Sequence, residues 1–325
     1  METIAVLQRF ASPVLDRLML GITYLGDEQA YIALLVILYL GVSPVLGRRL
    51  GIVLMLSFFL NFHLKGIVDT PRPFALDPSV ARGEAVATAP GAGFPSGHVQ
   101  GSTTFWGYLA LQVRRPGIWA AAVVIVVLIA LSRLYLGVHV PLDVVGGLLI
   151  GAAVVAVAQL VVRHRLITRI RSRQPWPRPL LLAAGVGGPL VVHLALPVTD
   201  SALLMGGLAA FVTAPLMLRY QPPVGAARRA VAAGLGLVLV FGALLGSSFL
   251  LPEAVKQVAV VGYVRYLLIG YVGLVLAPYL VRRVGLTRRS TGGEAGRLGR
   301  DGGDAPSPSP LPLEESTGLG DHRTG

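Results

Sequence analysis

The chain contains no cysteine, only two lysines (Lys65 and Lys256) and few acidic residues. Without cysteine there is no disulfide framework, no thiolate nucleophile and no cysteine-ligated metal site to consider. Charge of either sign is scarce: 14% of the 325 residues are charged and mean hydropathy is +0.70, values that exclude an ordinary soluble globular domain. A continuous basic face is missing too. The formal charge of +12 comes from arginines in short clusters between apolar runs, a pattern of membrane topology signals rather than of nucleic-acid binding. The opening "METIAVLQRFASPVLDRLML" lacks a basic region followed by an unbroken apolar core, so it does not read as a cleavable signal peptide.

What the sequence has in abundance is apolar runs. Crossing ~30 Å of hydrocarbon takes roughly 20 mainly apolar residues. Such runs are predicted at 29–46, 50–67, 98–113, 117–136, 141–162, 179–196, 201–218, 229–251 and 257–281. The expected fold is therefore all-α, a polytopic transmembrane helical bundle. Residues 1–24 carry Gln8, Arg9, Asp16 and Arg17 among apolar neighbours, which favours an amphipathic segment at the interface over a further span. Arginines 48 and 49, 114 and 115, those between 163 and 178, those between 219 and 229, and those between 282 and 289 fall at one end of the spans. By the positive-inside rule that end is cytoplasmic, which leaves Asp27, the long 68–97 loop, the 137–140 turn and Asp200 outside. The expected divisions are a core over 25–163, a basic cytoplasmic loop over 164–178, accessory transmembrane helices over 179–284 and a disordered cytoplasmic tail over 285–325. The tail's Gly, Ser, Pro and charged residues bury too little apolar surface to fold.

Three polar clusters interrupt the core, all at its predicted outer end. The first is "KGIVDTPRP", Lys65 to Pro73, where Lys65 and Arg72 offer a point charge and a bidentate fork. Taken alone these are ordinary snorkelling cations. The second is "FPSGHVQG", where Ser96 and Gly97 precede a helix beginning near His98. A bare glycine lets the backbone approach a ligand, and the free amides of a helix start attract an anion, although Ser and Gly here also suit a plain cap. The third is "SRLYLGVHVPLD", with Arg133 near one helix end and His139 four residues before Asp143, where a carboxylate can orient an imidazole. Together, two histidines, one aspartate and three cations at one depth are the parts of a phosphoryl-transfer site.

These stretches resemble, in order and without substitution, the Lys-x6-Arg-Pro, Pro-Ser-Gly-His and Ser-Arg-x5-His-x3-Asp motifs of the type 2 phosphatidic acid phosphatase superfamily. The resemblance covers about residues 25 to 163. It implies a lipid phosphatase in which His139 attacks phosphorus to form a phosphohistidine, Asp143 orients it, and His98 protonates the leaving oxygen and then activates water. Lys65, Arg72 and Arg133, with Ser96 and the Gly97 amide, would bind the phosphoryl oxygens. The cations take the place of a metal, so no cofactor is expected. The expected partners are a lipid phosphate or diphosphate (phosphatidate-like or isoprenyl) and membrane lipids. A phosphotransferase of the same superfamily, passing the group to an alcohol, and a non-catalytic lipid transporter stay open as alternatives. Arg265 and His193 lie inside apolar runs and read as structural, with Arg265 reaching for the interface or a carbonyl. Asn61, one turn before Lys65, is a candidate to support it, whereas His63 points elsewhere on the helix.

Overall fold

A helix holds each of the nine predicted positions in the computed structural model, which describes residues 1–163, 176–198 and 200–286. The described helices are α1 (Glu2–Gln8), α2 (Pro13–Tyr24), α3 (Glu28–Ile37, extended by a π turn Leu38–Val42), α4 (Pro44–Val68), α5 (Gly97–Val113), α6 (Pro116–Tyr135), α7 (Pro141–Arg163), α8 (Arg178–Ala195), α9 (Ser201–Met217), α10 (Ala226–Leu250) and α11 (Ala259–Tyr271). The last continues through a π turn, Val272–Leu276, to Arg283. No strand occurs among the described residues. Among the described residues, six helical segments are each long and apolar enough to cross a membrane, and α2 with α3, bent by 51°, meets that test as a pair, whereas α5 and α9, 17 residues each, fall short of the spans expected there. The protein is a multi-pass membrane protein. Arginines 165 to 173, expected in a basic cytoplasmic loop, and the expected tail beyond Leu286 lie outside the described residues.

Proline starts explain most of the breaks. Ser12 and Ser43 each accept a bond from the amide three residues on, and Pro13 and Pro44 follow them at the first helical position, where a missing N–H costs nothing. Ser43 corrects one predicted boundary: the third helix ends at Val42 and the fourth begins at Pro44, several residues before position 50. Pro116 and Pro141 also stand at the first position of α6 and α7, there without a serine cap.

Small residues set how closely α5 and α7 approach. A Cβ on Gly147 would lie 2.7 Å from the Ser96 carbonyl oxygen, and one on Gly151 would lie 2.8 Å from that of Gln100. Only glycine permits such backbone contact, as at close crossings in membranes generally. Aromatic packing then fills the core behind the site, with Tyr31 against Phe58 and Phe105, and Leu50 and Leu54 beside them. The C-terminal helices do not stand apart. α9 packs on α4, α10 on the π turn after α3, and one apolar cluster runs from Tyr39 and Leu40 to Leu204, Met205, Tyr263 and Leu267.

The N-terminal helices meet the site end of the bundle. Gln8 donates to the carbonyls of Val80 and Tyr135 at 2.7 and 2.8 Å. Asp16 accepts from the Tyr135 hydroxyl, and Thr23 accepts from Arg133, so α2 slants across the last turns of α6.

Candidate active site

α4 ends at Lys65 to Val68, α5 begins at Gly97, α6 ends at Tyr135 and α7 begins at Pro141, so all three polar clusters arrive at one end of the bundle. The turn carrying His139 depends on Gly137, which has φ +71° and where a Cβ would fall 2.0 Å from the Val80 carbonyl oxygen. A glycine is required there on both counts.

His139 is 1% exposed, and its partners define its protonation. Nδ1 lies 3.1 Å from Asp143 Oδ2, while Arg72 Nη1 lies 3.1 Å from Nε2. A guanidinium only donates. Nε2 is therefore the bare nitrogen, and Nδ1 carries the proton donated to Asp143. The same Asp143 oxygen accepts from the Val140 amide at 3.0 Å, which fixes the carboxylate on the first turn of α7. Burial first, and then the charges of Arg133, Arg72 and Lys65, hold the His139 ring well below the ordinary imidazole value of 6.5. The ring is neutral at pH 7.

Carbonyls of the 90–93 turn hold the cations. Arg72 donates to Pro90 and Gly91 at 2.8 Å each and to Val138 at 3.0 Å, and Lys65 Nζ donates to Ala92 at 2.5 Å. Ser96 caps α5 by position, yet its buried hydroxyl has no partner and makes no capping bond. The first amides of α5 have no acceptor within the helix either. An unpaired buried hydroxyl beside free amides is costly unless an acceptor arrives, which is the property an anion site needs.

A cavity of about 570 Å³ opens at this point, lined by Lys65, Arg72, Gly97, His98 and His139. Asp143 and Ser96 stand behind that wall. Arg133 does as well: it is fully buried, and donates to Thr23 Oγ1 at 2.7 Å, to Thr88 Oγ1 at 2.8 Å and to the Thr88 carbonyl at 3.1 Å. Thr88, rather than Arg133, lines the cavity. Asn61 does not support Lys65 as expected. It donates to Gln100 Oε1 at 2.8 Å and the Pro95 carbonyl at 3.3 Å, which braces the turn before Gly97, because the rotation of α4 faces it to α5. His63 turns away, with Nδ1 2.9 Å from the Phe59 carbonyl oxygen.

Two features were not legible as site residues. Asp27, at the break between α2 and α3, places Oδ1 2.6 Å from His98 Nε2. The only hint was an acid at the same end of the chain's spans as the three motifs. The helices expected to be accessory also reach the site, since Asp200, Leu203 and Leu204 at the start of α9 line the cavity. Arg265 instead donates to Ser247 Oγ at 2.8 Å and to the Leu244 carbonyl at 3.3 Å, and His193 is bonded to Ser201 and the Ala259 carbonyl. Both tie helices together.

Comparison with known proteins follows the same division of the chain. The family described as PAP2 superfamily matches residues 46–167, and the family described as PAP2 superfamily phosphatase, transmembrane extension, matches residues 198–289. The chain is 36% identical to mouse sphingosine-1-phosphate phosphatase 2, over 41% of its own length and 38% of that protein. It is 33% identical to phosphatidylglycerophosphatase B of Bacillus subtilis, over 43% of this chain and 71% of the relative. A crystal structure of Aquifex aeolicus LpxE is similar at 26% identity and a TM-score of 0.43, covering 49% of this chain and 93% of that one. The chain thus spans less than half the length of the mammalian relatives it matches and most of the bacterial one.

Proposed function

From a chain that belongs to the PAP2 superfamily, we propose an integral membrane lipid phosphatase that hydrolyses a phosphomonoester or diphosphate of a lipid through a phosphohistidine. The observation that carries this reading is the His139 ring, with its Nε2 lone pair free of a proton and its Nδ1–H held by Asp143. In the first step Nε2 bonds to phosphorus as the bond from phosphorus to the leaving oxygen breaks, and His98 gives that oxygen a proton. The leaving group is a lipid alcohol from a monoester, or a lipid monophosphate from a diphosphate. In the second step His98 takes a proton from water, the hydroxide oxygen bonds to phosphorus, and the N–P bond breaks. Inorganic phosphate leaves and the neutral His139 ring is restored.

Arg72 moves its Nη1 bond from Nε2 to a phosphoryl oxygen when substrate enters. Lys65 and the Gly97 amide bind the remaining oxygens, where charge builds in the transition state, and the unpaired Ser96 hydroxyl behind them turns to the nearest of these. Arg133 acts at one remove, fixing Thr88 on the cavity wall and adding its charge. Asp27 is a positioning residue for His98: a carboxylate on Nε2 sets the plane of the ring and offsets the charge it carries as an acid. These cations supply the neutralisation that a metal gives elsewhere, and so purified protein in detergent is expected to release inorganic phosphate from a lipid phosphate in excess EDTA. An absolute requirement for added divalent ions would overturn the cation clamp.

Arginine distribution supports an extracytoplasmic site, because Arg114 and Arg115 lie at the opposite end of α5 from Ser96. The absence of cysteine makes a direct test simple. Ser79→Cys in the long loop is expected to react with an impermeant thiol reagent in intact cells, and Gly117→Cys in the first turn of α6 is expected to react only after lysis. Both positions are exposed, and a Cβ on Gly117 meets nothing within 4 Å. The reverse pattern would invert the topology.

A further inference from the structure

An apolar slot lies between the catalytic helices and the C-terminal ones. Its walls are Ile32, Val36 and Tyr39 of the α3 segment, Met55 of α4, Gly207 of α9 and Leu244 of α10, with further apolar residues of α11. Four of its lining residues, Ile32, Leu35, Met55 and Leu203, also line the catalytic cavity, so the two spaces share a boundary. The cavity is lined by cations and also by the apolar Leu54, Phe58 and Phe62. A space with cationic groups therefore adjoins an apolar one across shared walls.

Resting on the phosphatase reading, we propose that this slot is the binding site for one hydrocarbon chain of the substrate lipid, and that α9, α10 and α11 serve to build its outer walls. Continuity with the cavity identifies the occupant. A lipid whose phosphate meets His139 carries its chain toward the shared boundary, and an apolar chain gains by leaving water for an apolar wall. Glu28 lines the cavity and Tyr39 the far part of the slot, a separation of roughly 16 Å along the helix at ~1.5 Å per residue. That is about half of the ~30 Å hydrocarbon thickness, the depth of one leaflet. Tyr39 also marks an end. Its hydroxyl donates to the Leu274 carbonyl at 3.2 Å and its ring stacks on Tyr220, whose hydroxyl donates to the Leu40 carbonyl, so two anchored aromatic rings stand at this end. Chains long enough to reach Tyr39 gain no further contact beyond it.

Gly207 provides the test, because a Cβ at that position would meet only the Met55 sulfur, at 3.4 Å, and a larger side chain would extend into the slot. Release of phosphate from single-chain alkyl phosphates of increasing length is measured for wild type, Gly207→Leu and, from the opposite wall, Leu244→Phe. In wild type kcat/KM is expected to rise with chain length and then level off. Both variants are expected to lose at least about tenfold on the long chains, mainly through KM, and to keep the short-chain rate. Unchanged chain-length profiles in either folded variant, or equal losses on short and long chains, would overturn the slot. If wild type hydrolyses neither alkyl phosphates nor alkyl diphosphates, the phosphatase reading fails instead. Binding of a fluorescent single-chain amphiphile to wild type and Gly207→Leu still decides the slot in that case: equal affinity rejects it, and weaker binding to the variant supports it.

Discussion

His139→Ala is expected to lose phosphate release by at least about 10⁴-fold while remaining folded and inserted, since no other imidazole lies within bonding reach of Arg72 and Asp143 in the described structure. Measurement is by inorganic phosphate released in detergent, with thermal unfolding as the control. Asp143→Asn gives a graded result. An amide oxygen can take the place of Oδ2 and keep the bonds to the Val140 amide and the His139 ring, so orientation is largely preserved and only the charge is lost. A fall on the order of 10²-fold or more is expected, with detectable turnover remaining. An inactive Asn variant that binds lipid normally would assign Asp143 a larger part than orientation. The pH profile of kcat/KM carries the same information. Because His139 is held well below 6.5, protonation of the nucleophile removes activity only at pH values below that point. An acid limb centred at 6.5 that persists in the His98 and Asp27 variants would contradict the buried, cation-flanked ring.

His98→Ala is expected to lower kcat by about 10²- to 10⁴-fold on lipid phosphates, the range of a general acid. The signature is dependence on the leaving group. An aryl phosphate whose phenolate departs without a proton should recover most of the first step, visible as a burst of phenolate followed by slow dephosphorylation. Asp27→Asn is expected to show the same dependence more weakly, by about tenfold to a hundredfold, together with an altered pH profile. Asp27→Glu should recover part of the loss if the carboxylate itself is what matters. Equal losses on alkyl and aryl substrates in the Asp27 variants would reduce the 2.6 Å bond to a packing contact.

Composition and spacing alone specified the class of molecule and the polar residues that gather at one end of it. Apolar runs must bury their backbone polar groups in helices to cross hydrocarbon, so composition and run length alone specify an all-helical membrane bundle. The placement of Asp143 one turn after His139 was equally local. Residues four apart at a helix start share a face, and the 3.1 Å bond between them needs no distant element. Lys65, Ser96 and His139 were brought together in expectation by counting helices, because an up-and-down path returns each of their helix ends to the same side.

Whatever depended on the rotation of one helix against another was set by packing between helices. Hydropathy in an apolar helix hardly varies around its circumference, so nothing local told that Asn61 would face Gln100 rather than Lys65, or that Arg133 would turn to Thr23 and Thr88. Asp27 reached His98 only because α2 and α3 bend by 51° at that point, and a bend between two short helices leaves no periodic trace in the chain. The role of the C-terminal helices was hidden for the same reason. Leu203 and Gly207 look like any lipid-facing residues, and packing of α9 against α4 is what makes them walls of an enclosed apolar space. Lipid and protein interior are equally apolar, so sequence shows which residues leave water but not which of the two they meet.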